Sequence, residues 1–187
     1  MNVYDFDKTI YDGDSTAHFY LFCLKRHKKI LVLFPSLAKA FLSFYVFKKG
    51  NKTQFKETMY RFLTFCDIEK DLQDFWSSHK HNIKQFYIET QKEDDVIISA
   101  SPEFLLEPIC KELGIKYLMA SRVDRKSGKY NGLNCHGKEK VKRFYEKFKN
   151  GKIDEFYSDS YSDTPLAEIA DKAFIVKKNK LSNWIFK

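Results

Sequence analysis

Val3-Tyr4-Asp5-Phe6-Asp7-Lys8-Thr9 is the stretch on which the reading of this chain turns. Val3-Tyr4 is a very short strand candidate, and Asp5 and Asp7 lie two residues apart at its carboxyl end. The period of two along a strand points both side chains the same way. Two carboxylates held so close repel, and one pKa rises unless a cation or a shared proton relieves them. Mg²⁺ suits oxygen ligands of this kind, and it suits phosphate substrates.

Downstream, from about Ser15 to Gln91, the signals are almost entirely helical. Phe55, Met59, Phe62 and Leu63 recur at i, i+4, i+7 and i+8, and Leu72, Phe75, Trp76, Ile83, Phe86 and Tyr87 keep the same rhythm. The texture then changes. Val96-Ile97-Ile98, Tyr117-Leu118-Met119, Ile153–Tyr157 and Ala173–Val176 read as strands. Between them, helices are predicted from Ser101-Pro102-Glu103 to Gly114, from Lys138 to Phe148 and from Pro165 to Ala170. Ser127–Gly132 carries hairpin turn chemistry. Strands alternating with helices predict an α/β fold with a central parallel sheet. The predicted organisation is a core of residues 1–14 and 92–187, split after its first strand by a helical insert at 15–91.

The chain has 187 residues, with 33 Lys+Arg against 25 Asp+Glu, which leaves a net charge of +8. An aromatic content of 17% excludes a disordered chain, and seven Gly and four Pro exclude a collagen-like one. The basic balance admits nucleic acid, an anionic membrane surface or a phosphorylated small molecule as partner. Cys23, Cys66, Cys110 and Cys135 form no CxxC pair, and the histidines complete no zinc spacing, so reduced cysteines in a cytoplasmic protein are expected. Met1–Asp7 carries two acids and no apolar run, unlike a signal peptide.

Later segments add polar groups where a parallel sheet binds its ligands, at the carboxyl ends of its strands. Ser99 follows Val96-Ile97-Ile98, at the expected mouth of a helix N-terminus that attracts anions. Asp159 and Asp163 follow Ile153–Tyr157, and Lys138 and Lys140 open a helix, where a cation is better tolerated if it faces a phosphate. Asp163 is also placed to cap the helix that starts at Pro165.

This ordered set resembles the haloacid dehalogenase-type phosphatases. Asp5-Phe6-Asp7-Lys8-Thr9 matches their DxDxT signature, Val96-Ile97-Ile98-Ser99 their second motif, a Lys ahead of the last acidic motif their third, and Asp159-Ser160-Tyr161-Ser162-Asp163 their DxxxD fourth. The helical insert resembles the cap of the subgroup that includes phosphoserine phosphatase. Ser99–Glu103 and Asn134–Lys140 are more similar to its phosphatidylglycerophosphatase C and CicA-like branch.

The resemblance implies a nucleophilic Asp5 that forms an aspartyl-phosphate, and Asp7 as general acid and then base. It implies Mg²⁺ held by Asp5, the Asp7 backbone carbonyl and Asp159, with Asp163 acting through water. Thr9, Ser99 and Lys140 (Lys138 as fallback) are the implied phosphate-site residues. Lys140 is favoured because Phe144 then takes the apolar position four residues on. Two departures stand out. Ser158 precedes Asp159 where the fourth motif usually has Gly, and neither Asp14 nor Arg61 reproduces the cap pattern of a phosphoserine phosphatase.

Ile30–Phe47 holds 14 apolar residues in 18, interrupted by Pro35, Ser36, Lys39 and Ser43. Three readings are open: a broken helical pair packed in the core, a helix at a membrane interface, or a span that an interior Lys and Pro make costly. Residues 20–61 contain ten basic residues and one acid, Glu57, a surplus of +9 that leaves the remainder of the chain at −1. The positive charge therefore belongs to the insert. The expected activity is hydrolysis of a phosphomonoester, a lipid phosphate such as phosphatidylglycerophosphate or another small anionic phosphate, with phosphoserine as the alternative substrate. The competing class is a non-catalytic membrane-surface or nucleic-acid binder on the same scaffold. Nucleic acid is disfavoured, because the aromatics fall at core-like helical spacing. A cytoplasmic protein in peripheral contact with an anionic membrane through residues 20–61 is the corresponding expectation for its location.

Overall fold

Val3 and Tyr4 are both fully buried and enter different apolar clusters, as neighbours on opposite faces of a strand must. The computed structural model describes residues 1–49 and 51–186. Its sheet contains β1 (Asn2–Tyr4), β2 (Val96–Pro102), β3 (Tyr117–Ser121), β4 (Ile153–Ser158), β5 (Ala170–Lys177) and β6 (Lys180–Asn183). The strand order is β3-β2-β1-β4-β5-β6, parallel except for the antiparallel pairing of β5 with β6. The expected parallel α/β architecture is thus what the chain adopts.

Helices α1 (Ser15–Arg26), α2 (Phe34–Phe41), α3 (Lys52–Tyr60), α4 (Ile68–His79) and α5 (Gln85–Thr90) all lie between β1 and β2 in the chain. The crossover helices are α6 (Glu103–Glu112), α7 (Lys138–Lys147) and the single turn α8 (Thr164–Ala167). One buried cluster joins the insert to the sheet: Tyr4, Phe6 and Ile97 share it with Phe19, Phe62, Phe75 and Tyr87. Tyr87 of α5 meets Tyr4 edge-on at 5.0 Å, and the Trp76 Nε1–H of α4 donates to the Leu105 carbonyl of α6 at 2.7 Å. The other sheet face buries Val96, Ile98, Phe144, Phe156 and Leu166.

Two local readings change. β2 runs on through Ser101 and Pro102, because Pro102 pairs with Ser121 after a register shift, so α6 starts only at Glu103. Ser99 therefore sits within a strand, not at the mouth of a helix. β6 was unsignalled: its four residues are all exposed and show no apolar alternation. Val123 and Tyr130 form an antiparallel bridge, the predicted hairpin. Gly128, at φ +73°, lets that hairpin approach the Tyr60 backbone, where a Cβ would lie 2.6 Å from the Tyr60 carbonyl oxygen.

The apolar stretch departs furthest from a core element. It forms a 3₁₀ turn (Lys28–Leu33), then α2, then a π-helical turn (Leu42–Val46). Ile30 and Leu33 are buried, but Leu31, Val32, Phe34, Phe41, Leu42, Tyr45, Val46 and Phe47 are exposed. The reading of a helical pair packed into the core is therefore overturned. Apolar composition cannot distinguish a buried helix from an uncovered one.

Since Phe75 is completely buried in the shared cluster, Phe75→Ala is expected to cost about 3–5 kcal/mol. Urea unfolding followed by both helical and near-ultraviolet signals should show one transition moved to lower urea. A separate early transition of the helical signal would show that the insert and the sheet do not share a core.

Candidate active site

β1 is central in the sheet, and the chain leaves it toward β2 and β3 before returning on its other side as β4. The carboxyl ends of β1 and β4 therefore border the crevice where the strand order reverses, the preferred ligand site of such sheets. Asp5 leaves the end of β1 with its N–H donating to the Tyr157 carbonyl of β4 at 2.9 Å. Asp159 and Asp163 leave the end of β4.

Between them stands Lys140. It is 1% exposed, and its Nζ donates to Asp5 Oδ1 and to Asp163 Oδ2, each at 2.7 Å. Gly137, at φ +58°, turns the chain into α7, and Phe144 anchors the helix in the core one turn beyond Lys140. Lys138, on the other side of the helix start, is exposed. Of the two lysines, Lys140 is the one bonded to these acids.

One ammonium serves two buried carboxylates. Burial lowers the Lys140 pKa, but Asp5 and Asp163 outweigh it and hold the group charged, above the ordinary lysine value. Burial pushes Asp5 up to about 7 against the pull of Lys140, with Asp163 and Asp7 adding repulsion. Asp163 Oδ2 also accepts from Ser158 Oγ at 2.9 Å, while its buried Oδ1 has no partner among the described residues.

Asp7 is held from two sides. The Ser15 N–H at the start of α1 donates to its Oδ1 at 2.7 Å, and Ser101 Oγ donates to its Oδ2. Ser101 Oγ also lies 3.0 Å from Thr16 Oγ1, so β2, α1 and the β1 loop meet at this carboxylate. Burial and then Asp14 raise the Asp7 pKa, and the serine bonds pull it back down. Lys8 takes φ +58° and forms a tight turn with Phe6, whose carbonyl accepts from the Thr9, Ile10 and Tyr11 N–H groups. Lys84, itself buried, donates to the Lys8 and Lys178 carbonyls at 2.6 and 2.7 Å and braces that turn.

Ser99 is buried beside these groups, its Oγ accepting from the Ser101 N–H at 3.1 Å. Asp159 is half-buried; burial raises its pKa while Lys8 and Lys177 lower it. Thr9, expected at the phosphate, has no exposed surface, and its Oγ1 accepts from the Asp159 N–H at 2.9 Å. It ties the two acidic loops together.

Three contributors escaped the sequence reading: Ser101, Ser158 and Lys84. Ser101 was in principle visible, two residues from Ser99 along one strand. The Ser158 departure from Gly is now accounted for by its bond to Asp163. Cys23, Cys66 and Asp71 also converge within 4.8 Å of one another, which the spacing did not reveal. Arg26 Nε and His27 Nε2 already contact the Asp71 carboxylate there, at 3.0 and 2.6 Å.

The donor set fits a hard divalent cation. Asp5 and Asp163 share one buried lysine, Asp7 and Asp159 add negative charge nearby, and Asp163 Oδ1 has room in its bonding for a metal-bound water.

A sequence profile described as haloacid dehalogenase-like hydrolase matches residues 3–168. Protein CicA of Caulobacter vibrioides is 35% identical over 83 residues, covering 41% of this chain and 37% of that protein. The matched part is thus little more than a third of the relative's length. Among solved structures, a protein of unknown function from Bordetella pertussis superposes with a TM-score of 0.71 at 18% identity, covering 92% of this chain and 87% of that one. A substrate-bound phosphoserine phosphatase superposes with a TM-score of 0.57 at 17% identity, covering 91% and 82%.

Lys140→Met leaves Asp5 and Asp163 buried without their shared cation, at an expected cost of about 3–5 kcal/mol. Urea denaturation should show that loss at neutral pH and a smaller one in acid, where the aspartates are protonated. Unchanged stability at neutral pH would show that the bridge holds nothing in place.

Proposed function

The chain belongs to the haloacid dehalogenase-like hydrolases, and from that premise we propose that it hydrolyses a phosphomonoester through a phosphoryl group carried on Asp5. The observation behind this reading is the buried Asp5–Lys140–Asp163 bridge at the β1–β4 crevice, with Asp7 beside it.

Lys140 fixes the rotation of the Asp5 carboxylate, so one oxygen is oriented for in-line attack on phosphorus. As the Asp5 O–P bond forms, the ester P–O bond breaks, and the leaving alkoxide takes a proton from Asp7. Burial raises the Asp7 pKa, the direction a general acid needs. In the second half, Asp7 accepts a proton from water as the water oxygen attacks phosphorus. The Asp5 O–P bond then breaks, releasing inorganic phosphate and restoring Asp5. Ser99 and Lys140 supply hydrogen-bond and charge stabilisation to the phosphoryl oxygens, while Thr9 and Ser101 position Asp159 and Asp7. Asp5, the Asp7 carbonyl and Asp159 would hold Mg²⁺, which would neutralise phosphoryl charge.

The substrate is an anionic phosphomonoester, and the resemblance to the CicA-like branch favours a lipid phosphate within that class. Phosphoserine is less well served, because Asp14 is used as the N-cap of α1, bonding the Ala17 N–H, and Arg61 is exposed. A scaffold retained only for binding would have no use for four converging aspartates and a buried lysine.

Asp5→Asn is expected to lower hydrolysis of p-nitrophenyl phosphate by about a thousandfold or more, as loss of a covalent nucleophile does. Wild-type-like turnover would remove Asp5 from the mechanism. EDTA should abolish activity and Mg²⁺ restore it, whereas undiminished turnover in EDTA would contradict the metal assignment. Removing the Ser101 bond lets the Asp7 pKa climb further. In a rate–pH profile, Ser101→Ala should therefore shift the limb governed by Asp7 to higher pH, with folding unchanged. An unmoved profile would show that Ser101 does not position this acid.

A further inference from the structure

The described residues include one helical stretch long and apolar enough to cross a bilayer, Lys28–Val46, and only 11% of its apolar window is buried. Val32 is 67% exposed and Phe47 65%, with Leu31, Phe34, Phe41, Leu42, Tyr45 and Val46 also open to solvent. Soluble surfaces seldom leave so many large apolar groups contiguous unless something covers them. Beside this stretch runs an open groove of about 500 Å³, formed with α1 and α3 and floored by Tyr20, Leu37, Phe55 and Met59.

We propose that this face docks on an anionic bilayer, with α2 lying along the boundary between headgroups and acyl chains and its apolar side, including the groove, against the chains. Charge identifies the occupant. Lys28, Lys29, Lys39, Lys48 and Lys49 are exposed along and at both ends of the stretch. The one acid between Tyr20 and Arg61, Glu57, is engaged by the Tyr130 N–H at 2.9 Å. A second copy of this chain would bring two such basic faces together, and their repulsion opposes that contact. An anionic surface attracts them, and the apolar groups between the lysines supply the burial that amphipathic interfacial helices use.

A span fits these residues poorly. Lys39 would lie near the middle of a 19-residue span, where a charge is costly. Ile30 and Leu33 are buried in the cluster shared with the sheet, so insertion across the bilayer would tear the stretch out of the fold. Lying flat costs neither.

The docked face is joined to the catalytic crevice by one helix. α3 turns Phe55 and Met59 toward the groove, while Lys56 Nζ, on the same helix, donates to the Ala100 carbonyl at 3.3 Å and to Asn134 Oδ1 at 3.2 Å. Ala100 lies between Ser99 and Ser101. Docking there would hold the crevice close to the headgroup layer.

The test is flotation of the full chain with vesicles of phosphatidylglycerol and phosphatidylcholine in equal parts, against pure phosphatidylcholine. Binding is expected only to the anionic vesicles, weakening as salt rises. Lys48→Ala and Lys49→Ala should each weaken it about fivefold, the equivalent of about 1 kcal/mol per cation near such a surface. The double variant Val32→Glu, Phe47→Glu should weaken it at least about tenfold. Unchanged hydrolysis of p-nitrophenyl phosphate and an unchanged melting curve show that these surface variants remain folded. Flotation needs no turnover, so this test stands or falls separately from the phosphatase reading. Failure to bind either vesicle, equal binding to both, retention through an alkaline carbonate wash, or a dimer abolished by Val32→Glu in protein that ignores vesicles would each overturn the proposal.

Discussion

The Lys140 ammonium, shared by Asp5 and Asp163, is the contact on which the rest of the site depends. Two strands of a parallel sheet end side by side, and each delivers carboxylates into the same buried crevice. Without a cation between them the crevice would carry uncompensated charge in a poorly solvated place, a state costing several kcal/mol. The lysine reaches that point because α7 starts at Gly137 and is anchored by Phe144 one turn on. The same contact that relieves the fold also orients Asp5, so stability and chemistry rest on one side chain.

The insert takes part in this arrangement. Its first helix sends the Ser15 N–H to Asp7, and Thr16 meets Ser101 beside it. α3 reaches strand β2 through Lys56, and the hairpin after β3 packs on α3 through Gly128 and Tyr130. A continuous apolar cluster backs these polar contacts from Tyr4 of β1 to Phe62 beyond α3. Whatever touches the outer face of the insert is therefore mechanically close to the acids at the sheet.

Much of this was legible in the sequence because it is local. Asp5 and Asp7 share one strand end, Lys140 and Phe144 share one helix face, and Asp159 and Asp163 follow one strand, so short-range periodicity sufficed to group them. Ser158 was visible only as a departure, since its bond to Asp163 depends on how the loop after β4 turns. Lys84 gave no signal at all: it acts by bracing Lys8, 76 positions away along the chain. Thr9 stands in the motif, but its bond to the Asp159 N–H depends on how the two loops meet. Composition announced the hydrophobicity of the apolar run at 30–47, but exposure is decided by which neighbours the topology brings to it.

The most direct test of the account is to mix the protein with Mg²⁺ and excess p-nitrophenyl phosphate, quench in acid during turnover, and map any phosphorylated peptide by mass. The account predicts the mass of one phosphoryl group on the peptide carrying Asp5, absent from Asp5→Asn. A phosphoryl group on another residue, or rapid turnover that never loads Asp5, would contradict it.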